Sequence, residues 1–191
     1  MARPKKDENS NPIRSRIETE FWKLMKKKSL SQITVSELVK NTNCNRTTFY
    51  YYFDNVDDLA WKVIAESIPV ELPKIAQAYF TGEVEDVTIN SKTMQMIEKL
   101  SALIGRDGSS RLAYLAADAL KKMWIAKLLP DESEYDEEIS HMFDFTASGI
   151  IGIISRYGRN SDIIQLKESL LLISTLFSKT ALEFISSKQV N

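Results

Sequence analysis

Between Asn45 and Phe53 the chain reads NRTTFYYYF, a run of side chains suited to gripping a polyanion. Arg46 carries a guanidinium that can give two parallel hydrogen bonds to O6 and N7 of guanine. Thr47 and Thr48 can hydrogen-bond a base edge or lie against a thymine methyl. The phenols of Tyr50, Tyr51 and Tyr52 can donate to phosphate oxygens. A helix turns about 100° per residue, so three consecutive tyrosines cannot all enter one core. Phe49 and Phe53, four apart, share an inward face. Tyr50 and Tyr51 then face outward, and Tyr52 lies between the core edge and the backbone side. The rival explanation is that the tyrosines merely cover a small core.

Other residues with chemical potential lack partners. His141 is the one histidine, and no second histidine or Glu-x-x-His pattern accompanies it, so a structural histidine is expected rather than a metal ligand. Cys44 is the one cysteine; a small apolar slot in a turn suits it better than redox sensing. Asp57–Asp58 and Glu137–Glu138 are adjacent pairs that diverge on a helix, which fits helix starts and not acid–base catalysis. No G-x-S-x-G, glycine-rich phosphate loop or H-E-x-x-H occurs. No enzyme, metal or cofactor is expected.

Helices must position the 45–53 run. Apolar residues at Ile13, Ile17, Phe21, Leu24 and Met25 give a first helix with one inward face, and Lys26, Lys27 and Lys28 crowd its end. These lysines can complement the helix terminus, attract phosphate, or both. Thr34 with Glu37 reads as a capping box that starts a second, short helix. Asn43 tolerates the left-handed turn that follows, and Asn45 caps the helix RTTFYYYF. Asn55 caps a longer helix whose first turn is acidic. The pair of short helices reads as a helix-turn-helix, whose second helix enters the major groove by its N-terminal residues.

Charge agrees with that reading. Residues 1–53 hold 11 Lys+Arg against 5 Asp+Glu, whereas residues 54–191 hold 14 against 21. A basic end on an acidic body suits a polyanion partner, although uneven surface charge alone gives the same sums. With 191 residues and 43% hydrophobic content, the chain can bury a sizeable core. A single cysteine fits a reducing cytosol. The basic start MARPKKDENSNP lacks the apolar segment of a signal peptide, and no apolar run approaches the ~20 residues of a membrane helix. A cytoplasmic protein is expected.

The stretch TVSELVKNTNCNRTTFYYYFDNVDDL, Thr34 to Leu59, resembles the tetracycline-repressor (TetR) family of bacterial regulators. Thr48, Phe49, Tyr50, Tyr51, Tyr52 and Phe53 fit that family's T-F/L-Y-x-H/Y-F signature. Leu38 and Val39 match its apolar pair, and Leu59 its leucine six residues after the phenylalanine. The likeness covers about the first third of the chain. Thr42-Asn43 and Cys44-Asn45 replace the family's Ala-Gly and Val-Ser but keep the turn, the small hydrophobe and the cap. Val56 departs further, because the family commonly places a phosphate-binding lysine there. With both caps included, the expected DNA-contacting set is Thr34, Asn45, Arg46, Thr47, Thr48, Tyr50, Tyr51 and Tyr52.

The expected fold is all-α. Residues 1–65 form the DNA-binding domain with a flexible arm at 1–12, and residues 66–191 form a helical effector-binding and dimerisation domain. Pro69 and Pro73 should stop the fourth helix near Ser67; a short helix around 74–80 and helices at 91–104 and 110–129 follow. The last two helices, about 136–158 and 161–187, are apolar on more than one face and need cover on two sides. The resemblance implies a four-helix bundle with a second copy. Its expected contacts are Gly149, Ile150, Gly152, Ile153, Leu170, Ile173 and Phe177, with the glycines allowing close approach. Ordinary core packing within one subunit is the alternative. The resemblance also implies a small-molecule pocket, for which Met94, Tyr114, Trp124 and Phe145 are the candidates.

These readings add up to a homodimeric repressor on a palindromic operator in double-stranded DNA, released by a small-molecule effector. Two rivals remain at this point: a protein of the same fold without an effector, and a helical interaction module that has lost DNA binding.

Overall fold

Polar caps start the helices where the sequence places them. In the computed structural model, which describes residues 12–84, 89–105, 107–129, 136–157 and 163–189, Thr34 Oγ1 accepts from the Glu37 amide at 3.2 Å. Asn45 Oδ1 accepts from Thr48 N at 2.7 Å, and Asn55 Oδ1 from Asp58 N at 2.9 Å. Asn90, Ser109 and Asp136 cap three later helices in the same way. Each such bond satisfies an amide that the helix itself leaves without a partner.

The fold is all-α. Among the described residues there are nine α-helices, one single-turn 3-10 helix at Leu30–Gln32, and no strand. The helices are α1 (Pro12–Met25), α2 (Val35–Asn41), α3 (Arg46–Tyr52), α4 (Val56–Glu66) and α5 (Leu72–Thr81). They continue with α6 (Ser91–Ile104), α7 (Ser110–Leu128), α8 (Glu137–Arg156) and α9 (Ile163–Gln189). The expected N-terminal arm, apart from Pro12, lies outside the described residues, as does most of the acidic stretch after Leu129.

α1, α2 and α3 pack together around Ile17, Phe21, Leu38, Phe49 and Phe53, all essentially without exposed surface. This core is continuous with the rest of the molecule. It runs through Leu59 and Ile64 of α4 to Leu103 of α6, Leu112 of α7 and Ile151 of α8. A second cluster lies among α5, α7, α8 and α9, around Phe80, Trp124 and Phe143. Phe80 stands 4.8 Å from Trp124 and 5.3 Å from Phe143, centroid to centroid. Trp124 is buried whole because its indole N–H donates to the Ala76 carbonyl at 2.9 Å.

Between α2 and α3, Asn43 adopts φ +49°, the left-handed conformation expected of it. Cys44 is half-buried against the core, with Sγ 3.2 Å from Thr42 Oγ1. His141, in contrast, is not a structural core histidine. Its side chain projects from α8 into solvent, 3.8 Å from Glu137.

Candidate functional site

α3 has two faces. Phe49 and Phe53 anchor it, while Tyr50 is 53% and Tyr51 69% exposed. Tyr52 is half-buried against the core and holds Tyr51 edge-on, at 4.8 Å between ring centroids. Two large apolar rings thus face water with their hydroxyls outward-capable, next to the N-terminal residues of the helix. Thr47 is exposed. Arg46 is exposed too, and one of its five N–H donors reaches Ser36 Oγ on α2 at 2.6 Å. Ser36 carries no signal in the sequence that assigns it this role.

Thr48 also serves the cap. Its hydroxyl is 2.8 Å from Asn45 Oδ1, the same oxygen that accepts its amide. The hydroxyl proton is committed to the cap, so Thr48 positions the helix start and keeps only acceptor capacity for a base. Thr34 is exposed but likewise occupied in capping α2. The reciprocal half of its expected capping box is replaced, because the Glu37 carboxylate pairs with Lys28. Lys28 is therefore drawn into the fold, while Lys26, Lys27 and Lys40 are exposed.

The base of α3 is tied down by charge. Arg14 is buried, pairs with Glu18 at 2.8 Å and with Glu66, and lies over the Phe53 ring at 5.8 Å. Burial pushes the Glu18 carboxyl above its ordinary pKa, against the pull of Arg14. Lys62 donates to the Tyr52 carbonyl at 2.9 Å and pairs with Asp58 at 2.9 Å. Val56 is half-buried and packs against the core, so it offers no cation to a phosphate.

A second feature lies among α4 to α9: a cavity of about 120 Å³ with almost wholly apolar walls. Trp124 lines it as expected. Met94, Tyr114 and Phe145 do not. Tyr114 and Phe145 are each 71% exposed, and Met94 sits half-buried at the flank of α6. The reason is register. Leu112 and Ala116 fix the inward stripe of α7, and Phe143 and Ala147 that of α8. Tyr114 and Phe145 each lie two positions past an inward residue, roughly 200° around the helix. Tyr79 and Thr93, which the sequence reading missed, line the cavity instead.

The third feature is the outer face of α8 and α9. Gly149 and Gly152 are exposed, and a Cβ at either would meet open space. Phe177 is 45% exposed and meets Phe145 edge-on at 6.5 Å. Ile150, Ile153, Leu170 and Ile173 are half-buried, and Ile150 and Leu170 also line the cavity. Ile164, Leu172 and Leu176 hold the outward positions, each more than half exposed. Residues 164–188 form a helix long and apolar enough to cross a membrane by length and composition alone, its most apolar 18-residue window reaching a mean hydropathy of 1.3.

Comparison with protein-family models, with curated proteins and with solved structures gives no match.

Proposed function

We propose that the protein is a sequence-specific DNA-binding regulator, a homodimeric repressor that a small molecule releases from a palindromic operator. One observation carries the reading. α3, capped by Asn45 and anchored by Phe49 and Phe53, turns Arg46, Thr47, Tyr50 and Tyr51 outward together. A guanidinium and hydroxyls at the start of an exposed, rigidly seated helix suit a major groove and its flanking phosphates. The surplus of Lys and Arg in residues 1–53 supplies the attraction.

Two copies are needed to read a palindrome. The outward stripe of Leu172, Leu176 and Phe177, beside Gly149 and Gly152, offers a face that a second copy can cover. Half-sites lie about 34 Å apart, so a dimer whose α3 helices leave that spacing loses one half-site. α4 joins the two regions: Leu59 belongs to the core beneath α3, and Trp61 and Ile64 belong to the cavity wall. A ligand that favours one packing of α4 shifts the population of that spacing.

Anisotropy titration of a labelled random-sequence duplex pool in rising salt tests DNA binding itself. The expected result is binding at low salt that weakens steeply as counterions are released. Absence of binding at low salt would refute the reading and favour a helical interaction module.

A further inference from the structure

We infer that the cavity among α4 to α9 takes an uncharged, apolar ligand of single-ring size. This deepens the effector reading and depends on it only for the consequence on DNA.

Charge comes first. No Lys, Arg, His, Asp or Glu lines the cavity among the described residues. A carboxylate or ammonium entering it would leave water for a wall with no counter-ion, a penalty that single-ring contacts do not offset. Size comes next. At about 120 Å³ the space is close to an engineered apolar cavity of about 150 Å³ that stays dry and binds benzene. Trp61, Trp124 and Tyr79 stand in the wall with aliphatic residues between, which suits a flat ring.

Polarity comes last. Thr93, in the first turn of α6, belongs to the wall but has no exposed surface, and its buried hydroxyl does not open onto the space. The Trp124 N–H is taken as well, since Ala76 accepts it at 2.9 Å. With almost no polar surface facing it, a ligand gains from apolar area and not from a hydrogen bond.

NMR titration of the whole protein without DNA, with isoleucine and methionine methyls labelled, tests the inference. Met96, Met123 and Ile97 line the cavity and report on it; exposed Ile164 is the control. Benzyl alcohol and toluene should shift the wall methyls saturably and leave Ile164 unchanged. Benzoate should bind about tenfold more weakly or worse. Toluene should bind at least as tightly as benzyl alcohol, whose hydroxyl meets no polar surface there. Ala119→Phe, which fills the space, should abolish binding of both; if that variant does not fold, the milder Ala119→Leu should weaken both. Equal binding of benzoate and benzyl alcohol, no wall shifts with any probe, or tighter binding of benzyl alcohol than of toluene would overturn the inference. Saturable binding that leaves DNA affinity unchanged would support the cavity's ligand class and remove the effector role.

Discussion

Asn45 sets how α3 begins. Its Oδ1 accepts from both the amide and the hydroxyl of Thr48, so Asn45→Ala removes two bonds at once. The expected loss is about 1 kcal/mol of stability by urea unfolding, with Asn45→Ser recovering most of it. An unchanged midpoint would show that core packing alone holds the helix start. Arg46→Ala should weaken the cognate site by roughly 1–3 kcal/mol and relax preference at one base pair. Ser36→Ala should do less, since it only frees the guanidinium from its tether on α2. Tyr50→Phe and Tyr51→Phe should weaken all sequences alike, because phosphate contacts carry little base information. A loss restricted to particular bases would assign these hydroxyls to base reading.

Helix starts were legible because their signals are local. A single Asn, Ser, Thr or Asp beside its own helix suffices, and Thr34, Asn45 and Asn55 all cap as expected. The inward faces of α1 and α3 were legible from spacing. The later helices were harder because α8 and α9 are apolar on more than one face and α7 carries aromatic residues on both its faces, so residue type could not tell wall from surface. Tyr114 and Phe145 were chosen for their rings, and register put both outside. Ile150 and Leu170, expected at an interface, also line a wall that six helices build together. At this scale Gly152→Glu should turn a dimer into a folded monomer, because a charge and a long side chain enter the close approach to the partner. Sedimentation with circular dichroism reads it, and a folded variant that stays dimeric places the interface elsewhere. Asp136 gives a pH test. The Glu138 amide and Lys188 hold its carboxyl below the usual range. Its stabilisation is therefore present above the unfolded pKa and lost as pH falls through the folded one. Asp136→Ala should destabilise at neutral pH and match wild type in strong acid; a difference that persists in acid would mean the cap does not act through charge.

The whole chain is uneven in charge along its length. On the proposed function, the surplus of cations within residues 1–53 would attract DNA and the surplus of anions within residues 54–191 would repel it. The all-α architecture and the α2–α3 pair were readable from periodicity and caps, whereas the cavity was not, because it exists only once α4 to α9 close around it. Loss of the dimer should also lower operator affinity while Arg46 and Tyr50 stay intact, since a palindrome engages two copies of α3. Selection of bound duplexes from a random pool addresses the proposed function most directly. The expected outcome is enrichment of a two-fold symmetric site with half-sites about one helical turn apart, whose preference at one position per half-site relaxes in Arg46→Ala. A pool that stays random, or an enriched site indifferent to Arg46, would contradict sequence recognition by α3.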